Sequence, residues 1–181
     1  MNDLSLFILD LCQNSISAMA RNIKITINEM INDNKLIIEI VDDGKGIEDE
    51  KINEVFDPFY TTRTTRKVGL GLPLFKEMVS LANGEVRLTS SKKMTILTSI
   101  MEYYHVDRLD IGDMSETILS LLINENIDIE FIYIVNKNIY SFSTIEIKKV
   151  LDGVSIKEKE IFSWIKNNLE KGIENVKVGG Y

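Results

Sequence analysis

Three short stretches carry side chains whose types and spacing can do chemistry. In "DLCQNSISA", Asp10 and Asn14 stand four positions apart. That is about one helical turn, so both project from the same face of a helix. A carboxylate there can take a proton from an attacking water or hydroxyl. An Asn amide oxygen one turn on is a hard donor of the kind Mg²⁺ prefers. The polar face of an amphipathic helix explains the same two residues. In "VDDGKGI", Asp42 ends an apolar run and precedes Gly44, Gly46 and Ile47. A fixed acceptor beside bare glycine backbone can read the exocyclic amine of a flat ring that approaches closely. A simple turn between two elements also accounts for the pattern. In "KVGLGLPL", Gly69, Leu70, Gly71 and Leu72 lead into Pro73. Free amides at a helix start favour phosphate oxygens. Arg63, Arg66 and Lys67 lie just upstream and add positive charge. A loop with a solvated basic cluster is the alternative.

The elements that must hold these stretches follow from hydrophobic periodicity. Asp3 to Ala20 reads as a helix, with Leu4, Ile8, Leu11, Cys12, Ser15 and Met19 on one face. Asp10, Gln13, Asn14, Ser17 and Arg21 share the other. "IKITINE" alternates as a half-buried strand does, and the more apolar "KLIIEIV" reads as a central strand. A weak helix is expected over Glu48 to Val55. "FDPFYTTRTTRKVGLGL" is loop-like. A helix opened by Pro73 should end at Asn83-Gly84. "EVRLTSS" and "MTILTSIMEYY" read as two more strands, with Lys92-Lys93 near their turn. This order predicts an α+β fold: one mostly antiparallel sheet with helices on one face.

Composition shifts near "HVDRLDIGD". Beyond it a helix is expected over Met114 to Asn124. "IDIEFIYIV" and "IYSFS" flank "NKN" as a hairpin. Ser143 with Glu146, and Ser155 with Glu158, have capping-box spacing. Gly153 and Gly172 are expected to stop the helices that follow, and "VGGY" to fray. The expected organisation is one domain over 1–106 and a small α+β appendage over 107–181, suited to docking a partner.

Bulk properties bound the function. The chain has 181 residues, 44% hydrophobic, with two prolines, which fits a folded globular protein. Its net charge of −7 argues against sequence-independent binding to nucleic acid or anionic lipid. The single cysteine, Cys12, excludes an internal disulfide and fits a reducing compartment. No apolar run approaches the ~20 residues of a membrane helix. The expectation is a cytoplasmic protein with no membrane and no nucleic-acid partner.

Taken together and in order, "DLCQNSISA", "VDDGKGI", "VFDPFYTTR" and "VGLGLPL" resemble the N, G1, F and G2 boxes of the GHKL family. That family holds gyrase B, heat-shock chaperone, histidine kinase and MutL ATPases. The resemblance covers about Asp3 to Met101. It implies a Bergerat α/β sandwich that binds ATP with Mg²⁺. Asn14 then matches the Mg²⁺-binding Asn and Ala18 the small residue near the base. Asp42 matches the adenine-reading Asp, with Gly44, Gly46 and Ile47 in its turn. Gly69, Leu70, Gly71 and Leu72 match the phosphate-cradling end of the lid, and Arg63, Arg66 and Lys67 fall in that lid. Thr95 matches a threonine that hydrogen-bonds near adenine. Asp10 takes the place of the Glu that serves as base in hydrolysing members; it keeps the charge and shortens the reach by one methylene. Histidine kinases usually carry Asn there, so Asp10 leans toward the hydrolase or serine-kinase branches. "SSKKM" replaces the usual glycine turn before Thr95.

The whole chain is also similar to standalone histidine-kinase-like ATP-binding proteins of anaerobic bacteria, which names no substrate. Histidine kinases present a phosphoacceptor on a helical hairpin ahead of the ATP domain. The chain starts almost at the N box, so no such hairpin is expected in it. His105, the one histidine, reads as a structural or surface residue. The expected function is slow ATP hydrolysis or transfer of the γ-phosphate to a partner protein. The alternatives are a nucleotide-gated binding module without turnover and an orphan histidine-kinase core acting on a separate acceptor. Pairing between exposed strands of "IDIEFIYIV" leaves a homodimer open.

Overall fold

The computed structural model describes residues 3–57, 70–124 and 126–180. The chain begins with α1 (Leu4–Ser17), followed by β1 (Asn22–Met30) and β2 (Lys35–Asp42). Then come α2 (Gly71–Leu81), β3 (Glu85–Ser91), β4 (Met94–Glu102) and α3 (Met114–Leu122). The last elements are β5 (Asp128–Val135), β6 (Asn138–Ser143), α4 (Thr144–Leu151) and α5 (Lys159–Gly180).

The six strands form one mixed sheet in the order β3-β4-β2-β1-β5-β6. All neighbours are antiparallel except β1 and β5, which run parallel. Register places Ile25 opposite Ile40 and Phe131, and Ile27 opposite Ile38 and Tyr133. Residues directly opposite share a face. One face is therefore a continuous apolar surface, as the period-2 burial of these strands shows.

That face packs on a helical layer. Leu4, Phe7, Ile8 and Leu11 of α1 join Phe75 and Val79 of α2, Ile118 of α3, and Ile165 and Leu169 of α5 in the core. Helix α1 lies between α2 and α3, and α5 packs against α3, β5 and β6. The expected α+β sandwich with helices over one sheet face is the observed architecture. Cys12 is buried in it, as its position on the apolar face predicts.

Local chemistry explains the helix starts. Asp3 caps α1, its carboxylate accepting from the Leu6 N–H at 3.1 Å and the Ser5 hydroxyl at 2.8 Å. Asp113 caps α3 in the same way, accepting from the Glu116 N–H at 2.9 Å. Ser143 accepts from Glu146 at 3.4 Å, as the expected capping box requires.

Several expectations are corrected. The segment after residue 47 forms two short 3₁₀ turns, Asp49–Lys51 and Glu54–Phe56, in place of one helix. Its charged residues are exposed, so no apolar stripe draws it into a longer helix. Ser155 accepts from the Lys157 N–H at 3.1 Å and closes a tight turn, so α5 begins later, at Lys159. Helix α5 passes through Gly172 and reaches Gly180, so neither Gly172 nor the final glycines stop it. A Cβ at position 172 would lie 2.1 Å from the Tyr140 ring. The glycine is there because strand and helix approach closely. Strand β5 is paired on both sides, so the sheet's free edges are β3 and β6.

The residues after 106 do not stand apart from the sheet. Strand β5 pairs with β1 from Asn22↔Asp128 to Glu29↔Val135. The Leu4 N–H donates to the Asp110 carbonyl at 2.9 Å, tying the start of α1 to the approach to α3.

Candidate functional site

The chemistry-bearing stretches converge where β2 ends beneath α1. Asp42 closes β2 opposite Ile23 of β1 and Thr95 of β4. It is 7% exposed. A carboxylate so buried needs donors. The Ser15 hydroxyl donates to Oδ2 at 2.7 Å, and the Gly44 N–H donates to Oδ1 at 2.9 Å. Both oxygens are thus pinned, one from α1 and one from the turn after β2.

The turn itself is held from two sides. The Lys45 N–H donates to the Ala18 carbonyl at 3.0 Å, fastening the glycine turn to the end of α1. Gly46 has φ +75°, and a Cβ there would lie 1.7 Å from the Ser91 carbonyl oxygen. Only glycine fits such backbone at such a distance. The Ile47 N–H donates to the Ser90 hydroxyl at 2.8 Å, and Ser90 lies 3.1 Å from the Thr95 hydroxyl. A hydrogen-bonded chain therefore runs from Ile47 through Ser90 to Thr95, beside Asp42.

Asp10 and Asn14 sit one turn apart on α1 and are half-buried. The Asn14 carbonyl accepts the Ala18 N–H at 2.9 Å, closing the helix. Asp10 reaches toward α2. A Cβ on Gly71 would lie 1.8 Å from its Oδ2, so no other residue fits at 71 without moving that carboxylate. Helix α2 starts at Gly71, two residues before Pro73, and its N-cap Leu70 makes no side-chain cap bond. Leu72 packs against the core. The uncapped start of α2 therefore faces a carboxylate, the charge its dipole favours.

Asp10, Asn14, Ala18, Asp42, Gly44, Gly46, Ile47, Leu70, Gly71, Leu72 and Thr95 thus belong to α1, α2 and the sheet end between them. Arg63, Arg66, Lys67 and Gly69 lie outside the described residues. Sequence reasoning missed Ser15 and Ser90. The signal for Ser15 was present: a hydroxyl in an apolar helical stripe must find a buried partner. For Ser90 the register with Thr95 was needed, and no local pattern gives it.

Two neighbours shape the electrostatics. Burial, and next to it the Asp42 carboxylate, push the Cys12 thiol well above its ordinary range, so it stays protonated and inert. Asp43 points to the other side. Loss of some hydration works to raise its pKa. The Asn22 backbone and side chain and the Arg21 N–H outweigh that and hold the carboxyl below the usual range. Their three bonds, at 2.7–2.8 Å, fasten the β2 end to the start of β1.

Residues 2–102 match the sequence profile described as histidine kinase-, DNA gyrase B-, and HSP90-like ATPase. The chain belongs to this ATPase family. It carries an ATP-binding, histidine-kinase-like catalytic domain. Among curated relatives, Sporulation kinase D of Bacillus subtilis is 35% identical over 83 residues, which are 46% of this chain and 16% of that protein. Sporulation kinase C of the same organism is 29% identical over 89 residues, 49% of this chain and 21% of that one. The autoinducer 2 sensor kinase/phosphatase LuxQ of Vibrio parahaemolyticus is 42% identical over 62 residues, 32% of this chain and 7% of that one. The chain thus spans at most about a fifth of the length of these relatives. Among solved structures, a catalytic domain of the histidine kinase ThkA has TM-score 0.47 and 24% identity, covering 57% of this chain and 68% of that one. Among the described residues no helix is long and apolar enough to cross a membrane.

Proposed function

We propose that this protein binds Mg-ATP at the α1–α2 site and transfers the γ-phosphoryl group to a partner protein, with slow hydrolysis when no acceptor is present. The observation that carries the reading is Asp42: buried, ionisable, and fixed through both oxygens by Ser15 and Gly44. An ionised carboxylate offers about four acceptor positions. Two are used, and the others suit the exocyclic amine of adenine.

The remaining residues fit the rest of a nucleotide. The amides that open α2 suit phosphate oxygens. The Asn14 amide oxygen suits a hard divalent cation. Among the described residues there is no cluster of three or more His, Cys, Asp or Glu. A cation here would share its shell with phosphate and water oxygens, as Mg²⁺ does. Bound Mg²⁺ would neutralise charge on the transferring phosphoryl group. Asp10 is the base that takes the proton from the attacking hydroxyl or water. The curated relatives, sporulation kinases and a sensor kinase by name, support a protein as acceptor. Residues 107–181 are the proposed partner-facing part.

The test is titration of the protein with ATP, with and without Mg²⁺, followed by phosphate release and by transfer from γ-labelled ATP to candidate proteins. Saturable uptake that weakens without Mg²⁺, followed by slow release, is the expected result. Absence of uptake by folded protein overturns it.

A further inference from the structure

The nucleotide site occupies the α1–α2 side of the molecule, and α4 with α5 builds a second feature. Between them lies a groove of about 440 Å³. Its apolar lining is Ile147, Val150 and Leu151 from α4 with Ile161 and Trp164 from α5. Val150 is 85% exposed and Trp164 is 54% exposed. A valine and a tryptophan left this open beside each other form a contiguous patch of the kind that marks an interaction site. Glu146 and Glu160 complete the lining, one from each helix. Among the described residues neither has an ion-pair partner, while Lys148 on α4 is held by Asp128 at 2.7 Å. The exposed lysines nearby, Lys149, Lys157 and Lys159, do not line the groove.

We infer that the α4–α5 groove, apolar along its floor and carrying Glu146 and Glu160, docks an amphipathic helix of a partner protein whose apolar stripe is flanked by basic residues. The inference rests on the proposed function for the partner's role, and adds where and by what chemistry that partner is held. The eight residues of α4 span about 12 Å, a little over two turns. That length seats apolar anchors spaced i, i+3 or i+4, and i+7 on a docked helix. Charge selects the occupant. Glutamates from both walls favour lysine or arginine beside the stripe. A second copy seated groove to groove would bring acidic groups together on a chain whose net charge is −7.

Trp164 is the only tryptophan, so its emission reports the groove directly in the full chain. The probe is a synthetic helical peptide of about four turns with a leucine stripe flanked by lysine. Its control carries glutamate in place of lysine. The lysine peptide is expected to shift Trp164 emission to shorter wavelength and saturate. The glutamate peptide should bind at least about tenfold more weakly. Glu146→Lys with Glu160→Lys should reverse that preference. Val150→Asp, at an exposed position, should abolish the shift while circular dichroism and ATP binding stay unchanged. No saturable shift with the lysine peptide overturns the inference, as does equal binding of both peptides. A dimer that Val150→Asp dissolves also overturns it, because a second copy then covers the groove. ATP titration of the same sample separates the two claims. Peptide binding without ATP uptake sinks the proposed function alone; ATP uptake without peptide binding sinks the groove alone.

Discussion

Asp42 works only because its neighbours hold it. The Ser15 hydroxyl and the Gly44 N–H engage one oxygen each and fix the carboxylate; in the proposed function its remaining acceptor positions meet a ring amine. Ser15→Ala leaves a buried carboxylate one donor short, and a hydrogen bond to a charged group contributes about 1.5–3 kcal/mol. Stability by chemical denaturation should fall by about that amount, and ATP affinity should fall with it; an unchanged midpoint would contradict the bond. Asp10 makes a different claim. Asp10→Asn keeps the shape beside Gly71 and removes the proposed base. Phosphate release or transfer should drop about 10²–10⁴-fold with ATP affinity kept, whereas a purely nucleotide-gated module would keep its partner response. Much of this site was readable in the sequence. Spacing singled out Asp10 and Asn14, and a place after a strand singled out Asp42, but each pattern also fits a plain helix face or turn, and only the motifs taken together in order pointed to one site. Ser15 was placed on the buried face, where it does lie, but its partner was missed, because periodicity records where a residue lies and is silent on what it touches. Ser90 needed the β3–β4 register.

Elements were legible where pattern and capping agreed. Strands β1 and β2, and helices α3 and α4, fall close to their expected limits because alternation or capping residues mark them. Errors arose where a residue serves tertiary contact. Gly172 looked like a stop, yet α5 continues and uses the missing side chain to rest on the Tyr140 ring. Tyr140 in turn donates to the Asn168 side chain at 2.7 Å, and burial pushes its pKa up to about 12. Gly172→Ala therefore sets two effects against each other. Helix propensity favours alanine by about 1 kcal/mol, and overpacking against the ring costs about 1–3 kcal/mol. The contact at 2.1 Å decides the sign, so the denaturation midpoint should fall. A rise would show that the ring yields freely.

At the scale of the whole molecule, the parallel pairing of β1 with β5 joins the family-matched part to the rest of the chain. No local pattern announces it, since it links segments about a hundred residues apart, and its order in the sheet is set by long-range packing. Residues 107–181 read in the sequence as an appendage, yet β5 covers an edge of β1 along its length and α3 packs on α1. A chain ending at residue 106 would uncover that edge of β1 and leave the apolar face of α1 without α3. Such a truncation should lose cooperative unfolding and aggregate more readily. A sharp transition in the truncated chain, with ATP binding intact, would show that the nucleotide part stands alone. The helices that line the proposed partner groove pack against β5 and β6 of the same sheet whose other half carries Asp42. The most direct measurement is calorimetric titration of ATP into the full chain and its Asp42→Ala variant. Saturable ATP uptake by the full chain, weakened about tenfold or more in a variant that still folds, is the predicted result. Equal affinity in both, or no uptake by well-folded wild-type protein, would contradict the account.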